Sequence, residues 1–133
     1  MTARYTHGPV LASFWLFIVI GMVSAANGVL LPEQIDDYQV DKATIGLTFV
    51  TSAGGFIVAS LFSGPLVHRV GSRMALSSMC ALLVASGALI AARPPFVLFV
   101  LVQFVLGCAM GALDSLPNAY LATRRNATSL LNL

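Results

Sequence analysis

Four stretches without a charged side chain occupy most of this chain: residues 10–31, 43–67, 74–92 and 94–113. Between them stand short polar breaks, "PEQIDDYQVDK", "HRVGSR" and a single "RP". Each run approaches or exceeds the ~20 apolar residues that an α-helix needs to cross a hydrocarbon core of ~30 Å. Backbone amides in lipid must pair within their own segment, and the runs lack the short alternating pattern of barrel strands, so helices are expected. Connections this short make neighbouring helices antiparallel. The predicted fold is all-α and transmembrane, a four-helix antiparallel bundle. Its spans are about 10–31, 43–67, 74–92 and 94–122, after a nine-residue N-terminal segment (1–9) and before a polar segment at 123–133 that opens a further helix. Pro32 and Pro94 mark helix ends, as suits a residue with no amide hydrogen to donate.

Composition agrees. Of 133 residues, 58% are hydrophobic and 9% charged, against about 25% charged in a soluble domain, and the mean hydropathy is +0.90. A net charge of +2 is too small to suggest a nucleic-acid partner. Cys80 and Cys108 lie inside apolar runs and read as small buried hydrophobes. No spacing of His, Cys and acids suits a metal, no glycine-rich loop suits a phosphate, and neither an enzyme nor a cofactor is implied. The basic residues bear on topology. Alternate segments carry Arg4, then Arg69 and Arg73, then Arg124 and Arg125; the other two carry only Lys42 and Arg93. That bias places the N-terminus and the 123–133 end in the cytoplasm.

The fourth span, 94–122, carries the one acid inside a predicted span. Gln103, Gly107, Gly111, Asp114 and Asn118 follow steps of three and four and so share one helix face. A carboxylate facing lipid at mid-membrane costs about 2.5–3.5 kcal/mol on insertion scales, so Asp114 is expected to face the bundle interior or a wet cavity. Two readings of it stand: a structural carboxylate bonded to a neighbour, with Asn118 one turn away, or a group that handles protons or solute. Pro117 withdraws the amide that the Leu113 carbonyl would otherwise accept, which leaves polar backbone beside the acid. Gly107-x-x-x-Gly111, and Gly55-x-x-x-Ala59-x-x-x-Ser63 in the second span, are close-packing surfaces. "GMVSAANGVLLPEQ" from Gly21 also overlays "GCAMGALDSLPNAY" from Gly107 without a gap. Two such segments running in opposite directions are what an inverted repeat of a secondary transporter gives.

The stretch "GPLVHRVGSRMAL" resembles the signature between helices two and three of the major facilitator superfamily, roughly G-x-L-a-D-R-x-G-R-R-x-x-L. Gly64, Leu66, Arg69, Gly71, Arg73 and Leu76 match it. His68 stands in the usual aspartate position and Ser72 in a usually basic one. The end of the chain is similar to the fourth helix of fucose-permease-like members, near G-x-G-x-G-x-x-[DE]-x-x-x-N with "LNL" opening the next helix; Gly107, Gly111, Asp114, Asn118 and Asn132 correspond. "ANGVLLPEQ" resembles that branch's first helix, with Asn27 kept and Gly28 in the acidic place. The resemblance implies a partial N-terminal half of a twelve-helix carrier working by alternating access, with a small solute and protons as partners beside the bilayer and the remaining helices. It assigns Asp114, Asn118 and Asn27 to solute or proton binding and Gly64, Arg69, Gly71 and Arg73 to a cytoplasmic gate loop. Sugar specificity is not implied, since Gly28 replaces the acid. Two alternatives remain. One is a four-helix scaffold, or a truncated product that does not transport. The other is a dimeric four-helix multidrug carrier, which would carry its acid in the first helix.

Overall fold

The computed structural model describes the backbone of residues 8–131 and the side chains of residues 11–118. Arg4, the side chains of Arg124 and Arg125, and Asn132 lie outside the described residues. Five helices follow in order: α1 (Gly8–Val29), α2 (Leu31–Tyr38), α3 (Lys42–Val70), α4 (Ser72–Ala91) and α5 (Phe96–Leu131). All but α2 are long and apolar enough to cross a membrane.

Three of the boundaries differ from those the sequence predicts. The acidic connection after the first span contains the eight-residue helix α2, with Pro32 in its first turn and Gln39 in the left-handed region ending it. The α3–α4 connection is a single residue, Gly71, at φ +84°, a conformation that glycine adopts without strain. His68 and Arg69 therefore lie in the last turn of α3, where cations meet the negative end of the helix. Finally, α5 runs unbroken to Leu131. The stretch 123–131 carries charge but neither glycine nor proline, so nothing in it interrupts the backbone ladder.

Helix α5 is the axis of the molecule. In the most apolar 18-residue stretch of its span 56% of the residues are buried, against 17% in those of α3 and α4, while α1 is almost wholly unburied. It packs most extensively against α3 and next against α4. Ser52 of α3 lies opposite Gly107, and Phe56 opposite Gly111, so α3 and α5 run parallel, as two reversals between them require. The contact is backbone to backbone. A Cβ on Gly107 would strike the Ser52 carbonyl, one on Gly111 that of Phe56, and one on Gly55 that of Phe104. Ser60 Oγ adds a bond across the pair to the Gly111 carbonyl at 3.2 Å. On the other side Leu83 of α4 joins Leu106, Ala109, Met110 and Leu113 in the core, and Leu16, Ile20 and Val23 of α1 pack on its margin.

Candidate functional site

Among the described residues, one hollow opens at the end where α2 sits and another along the spans. At the first, α2 lies over the α4–α5 corner. Arg93, itself at φ +52°, donates to Asp37 Oδ1 at 3.1 Å and to Glu33 Oε1 at 3.3 Å. The Tyr38 ring stacks on Phe99 at 4.9 Å and meets Phe96 edge-on at 5.7 Å. Burial, helped by the Asp37 charge, raises the Tyr38 phenol above its ordinary value, and Arg93 offsets part of that rise. This open hollow holds about 220 Å³. Arg93 already engages two carboxylates here, so the arrangement works as a clasp between α2 and the corner.

The second hollow is a groove of about 360 Å³ walled by α1, α3 and α5. Ile20, Ser24 and Asn27 form the α1 wall, Gly107 and Met110 the α5 floor, and Phe49, Ser52 and Phe56 part of the α3 wall. The glycine at 107 serves both surfaces. By bringing α3 against α5 it sets the depth of the groove.

Of the sequence-predicted site residues, Asn27 and Gly107 line the groove and the others lie outside both hollows. Asp114 lies one turn beyond Met110 on α5, half-buried, and among the described residues its carboxylate has no hydrogen-bond or ion-pair partner. Asn118 is exposed and does not reach that carboxylate; its Nδ2 donates to the Asp114 backbone carbonyl at 3.0 Å. Ser115 Oγ likewise donates to the Gly111 carbonyl at 2.7 Å. Both bonds dress the backbone of the turn where Pro117 has no amide to give. Gly55, Gly107 and Gly111 lie at the α3–α5 contact, whereas Gly64 has open space around it. Arg69 and Arg73 are exposed on either side of Gly71, so the predicted gate loop is helical except at that residue. Gly21, the α1 counterpart of Gly107 in the sequence overlay, faces open space rather than a neighbouring helix.

Sequence reasoning missed Ser24, Ser52, Phe49 and Phe56. A signal was present for the first: Ile20, Ser24 and Asn27 follow steps of four and three, the same face-sharing pattern as the α5 stripe. No group of three or more His, Cys, Asp or Glu suited to a metal occurs among the described residues, and Cys80 and Cys108 are free and half-buried.

Residues 13–125 match the Major Facilitator Superfamily. The chain is 31% identical over 119 residues to the 4-hydroxybenzoate transporter PcaK of Acinetobacter baylyi, covering 88% of this chain and 25% of that protein. It is 32% identical to PcaK of Pseudomonas putida, again over 88% of this chain and 26% of the relative. It is 27% identical to Bypass of stop codon protein 6 of Saccharomyces cerevisiae, over 86% of this chain and 23% of the relative. No solved structure matches. The chain thus spans about a quarter of the length of the curated relatives it matches. Since the match extends from α1 through the Gly71 corner into α5, and the four long apolar helices agree with it, the chain belongs to the Major Facilitator Superfamily.

Proposed function

We propose that this chain is the N-terminal portion of a secondary transporter that moves a small aromatic acid by alternating access, coupled to protons. It is not an enzyme. The observation that carries this reading is the Asp114 carboxylate, held inside a span on the floor helix of the groove and left without a partner among the described residues. An ionisable group inside a membrane span marks a solute, ion or proton path by default, because leaving it there for packing alone is costly. The aromatic acid comes from the relatives, two of which are named as 4-hydroxybenzoate transporters. They favour it over the fucose-permease-like branch, whose resemblance rests on a few positions and already fails at Gly28.

In this reading Asn27 contacts solute, Asp114 exchanges protons, and Asn118 braces the backbone beside Asp114. The basic residues around Gly71 keep that end, with the N-terminus, on the cytoplasmic side, where Gly64, Arg69, Gly71 and Arg73 form a gate corner. The α2 clasp then lies on the opposite side. Replacing Asp114→Asn in the complete carrier tests the assignment. Uptake driven by a proton gradient should fall at least about tenfold while solute exchange at equilibrium, which needs no net proton movement, continues. Unchanged proton-driven uptake would leave Asp114 a structural role only.

A further inference from the structure

The hydroxyls and amide of the groove differ from most hydroxyls in the spans. Thr48 and Thr51 on α3, Ser78 and Ser86 on α4, and Ser115 on α5 each turn back to donate to a backbone carbonyl. That is the usual way for a hydroxyl to satisfy itself in a membrane helix. Ser24, Asn27 and Ser52 do not: among the described residues they make no hydrogen bond, and all three line the groove. Ser24 is exposed and Asn27 and Ser52 are half-buried, so their polar ends stay accessible to something that enters, and bonding it would relieve the cost of an unpaired polar group at membrane depth. Their surroundings define it further. Phe49 and Phe56 stand two helical turns apart on one wall, Ile20 and Met110 extend an apolar lining, and no described lining residue is charged. The groove's volume lies within the range of about 300–1,000 Å³ typical of small-molecule sites.

We propose that the groove reads the uncharged end of an aromatic acid. The ring packs against Phe49 and Phe56, its hydroxyl substituent bonds to Ser24, Asn27 and Ser52, and the carboxylate points away from α5. Two features fix that polarity. Among the described residues the lining offers no cation to balance a carboxylate. Asp114 also lies ~6 Å farther along α5 than Met110 at 1.5 Å rise per residue, so the next titratable side chain on that helix is an acid and supplies no cation either. The cation that receives the carboxylate therefore lies outside this described lining. This inference rests on the reading of the chain as part of an aromatic-acid carrier.

Equilibrium binding of 4-hydroxybenzoate and of benzoate to the purified complete carrier tests it, with Asn27→Ala, Ser52→Ala and Phe56→Leu. The two polar variants should each weaken 4-hydroxybenzoate about tenfold, the effect of one lost hydrogen bond, and leave benzoate within about twofold. Phe56→Leu should weaken both acids alike. If the polar variants lower both affinities equally, or neither, this inference is overturned and the aromatic-acid carrier stands. If the unaltered carrier binds neither acid, both fall together. Phe56→Leu also guards against misfolding, because a selective loss in one variant and a general loss in another cannot both come from unfolding.

Discussion

At the scale of single residues, the glycines of α5 do what no larger side chain could. Gly107 rests on the backbone of Ser52, with the carbonyl carbon 2.7 Å and the Cα 2.9 Å from where a Cβ would stand. The obstacle is backbone, so no rotamer change relieves it, and the helices must part. Gly107→Ala should therefore destabilise the bundle by about 1–3 kcal/mol, the usual range for overpacking a tight core. Gly87→Ala, on the open side of α4 with nothing within 4 Å, should leave stability unchanged or slightly raised. Thermal unfolding of the two variants in detergent compares them directly. An equal effect would mean that α3 and α5 are not in backbone contact. The pair also shows a limit of sequence: Gly21 and Gly107 share a spacing pattern, yet only Gly107 meets a neighbour. Small residues at steps of three and four permit close approach without saying whether a helix comes to use it.

Among the elements, α2 shows how much a polar connection can hide. Its sequence is acidic and short, and what makes it a helix is tertiary: the Arg93 guanidinium between Glu33 and Asp37, and Phe99 under Tyr38. Residues ~60 apart in sequence meet there, which local pattern cannot reveal. The four spans, by contrast, were legible because hydrocarbon thickness sets their length. The exact corners were not. Charge at 68–73 suggests a loop, but one glycine with positive φ is enough to reverse the chain. Exposed ion pairs contribute only about 0.2–1 kcal/mol each, so Arg93→Gln should barely change global stability. It should instead speed hydrogen exchange of the α2 amides at least several-fold, and exchange unchanged in 31–38 would show that the aromatic contacts alone hold the helix. The start of α3 has its own switch. Asp41 Oδ1 accepts from the Thr44 amide at 3.0 Å, and its bonds with Thr44 hold the carboxyl below its ordinary value of 3.8. With the folded value depressed, the cap's contribution is complete above that ordinary value and disappears as pH falls through the lower folded one. Amide exchange at Thr44 should accelerate relative to mid-α3 over that acidic window, and Asp41→Asn, which keeps an uncharged acceptor, should remove the pH dependence.

For the molecule as a whole, the uneven burial of its helices matters most. Helix α5 is enclosed on several sides, while α1 touches mainly one edge of the core and leaves Phe14, Trp15 and Met22 each more than 60% exposed. Yet α1 supplies one entire wall of the groove. A wall held by few contacts is free to move but poor at holding a shape, so the groove needs support that these helices do not supply. Its missing cation points the same way. Expressed alone, residues 1–133 should insert into membranes and show no proton-driven uptake of 4-hydroxybenzoate, whereas the complete carrier should transport it. Trp15, the sole tryptophan in the chain, reports the reason. Lipids brominated in their acyl chains should quench it strongly in the isolated chain, where α1 stands largely in lipid. In the complete carrier with every other tryptophan replaced by phenylalanine, helices packed on α1 should protect it in part. Equal quenching in both would show that α1 gains no such cover near Trp15, and uptake by the isolated chain would show that four spans suffice.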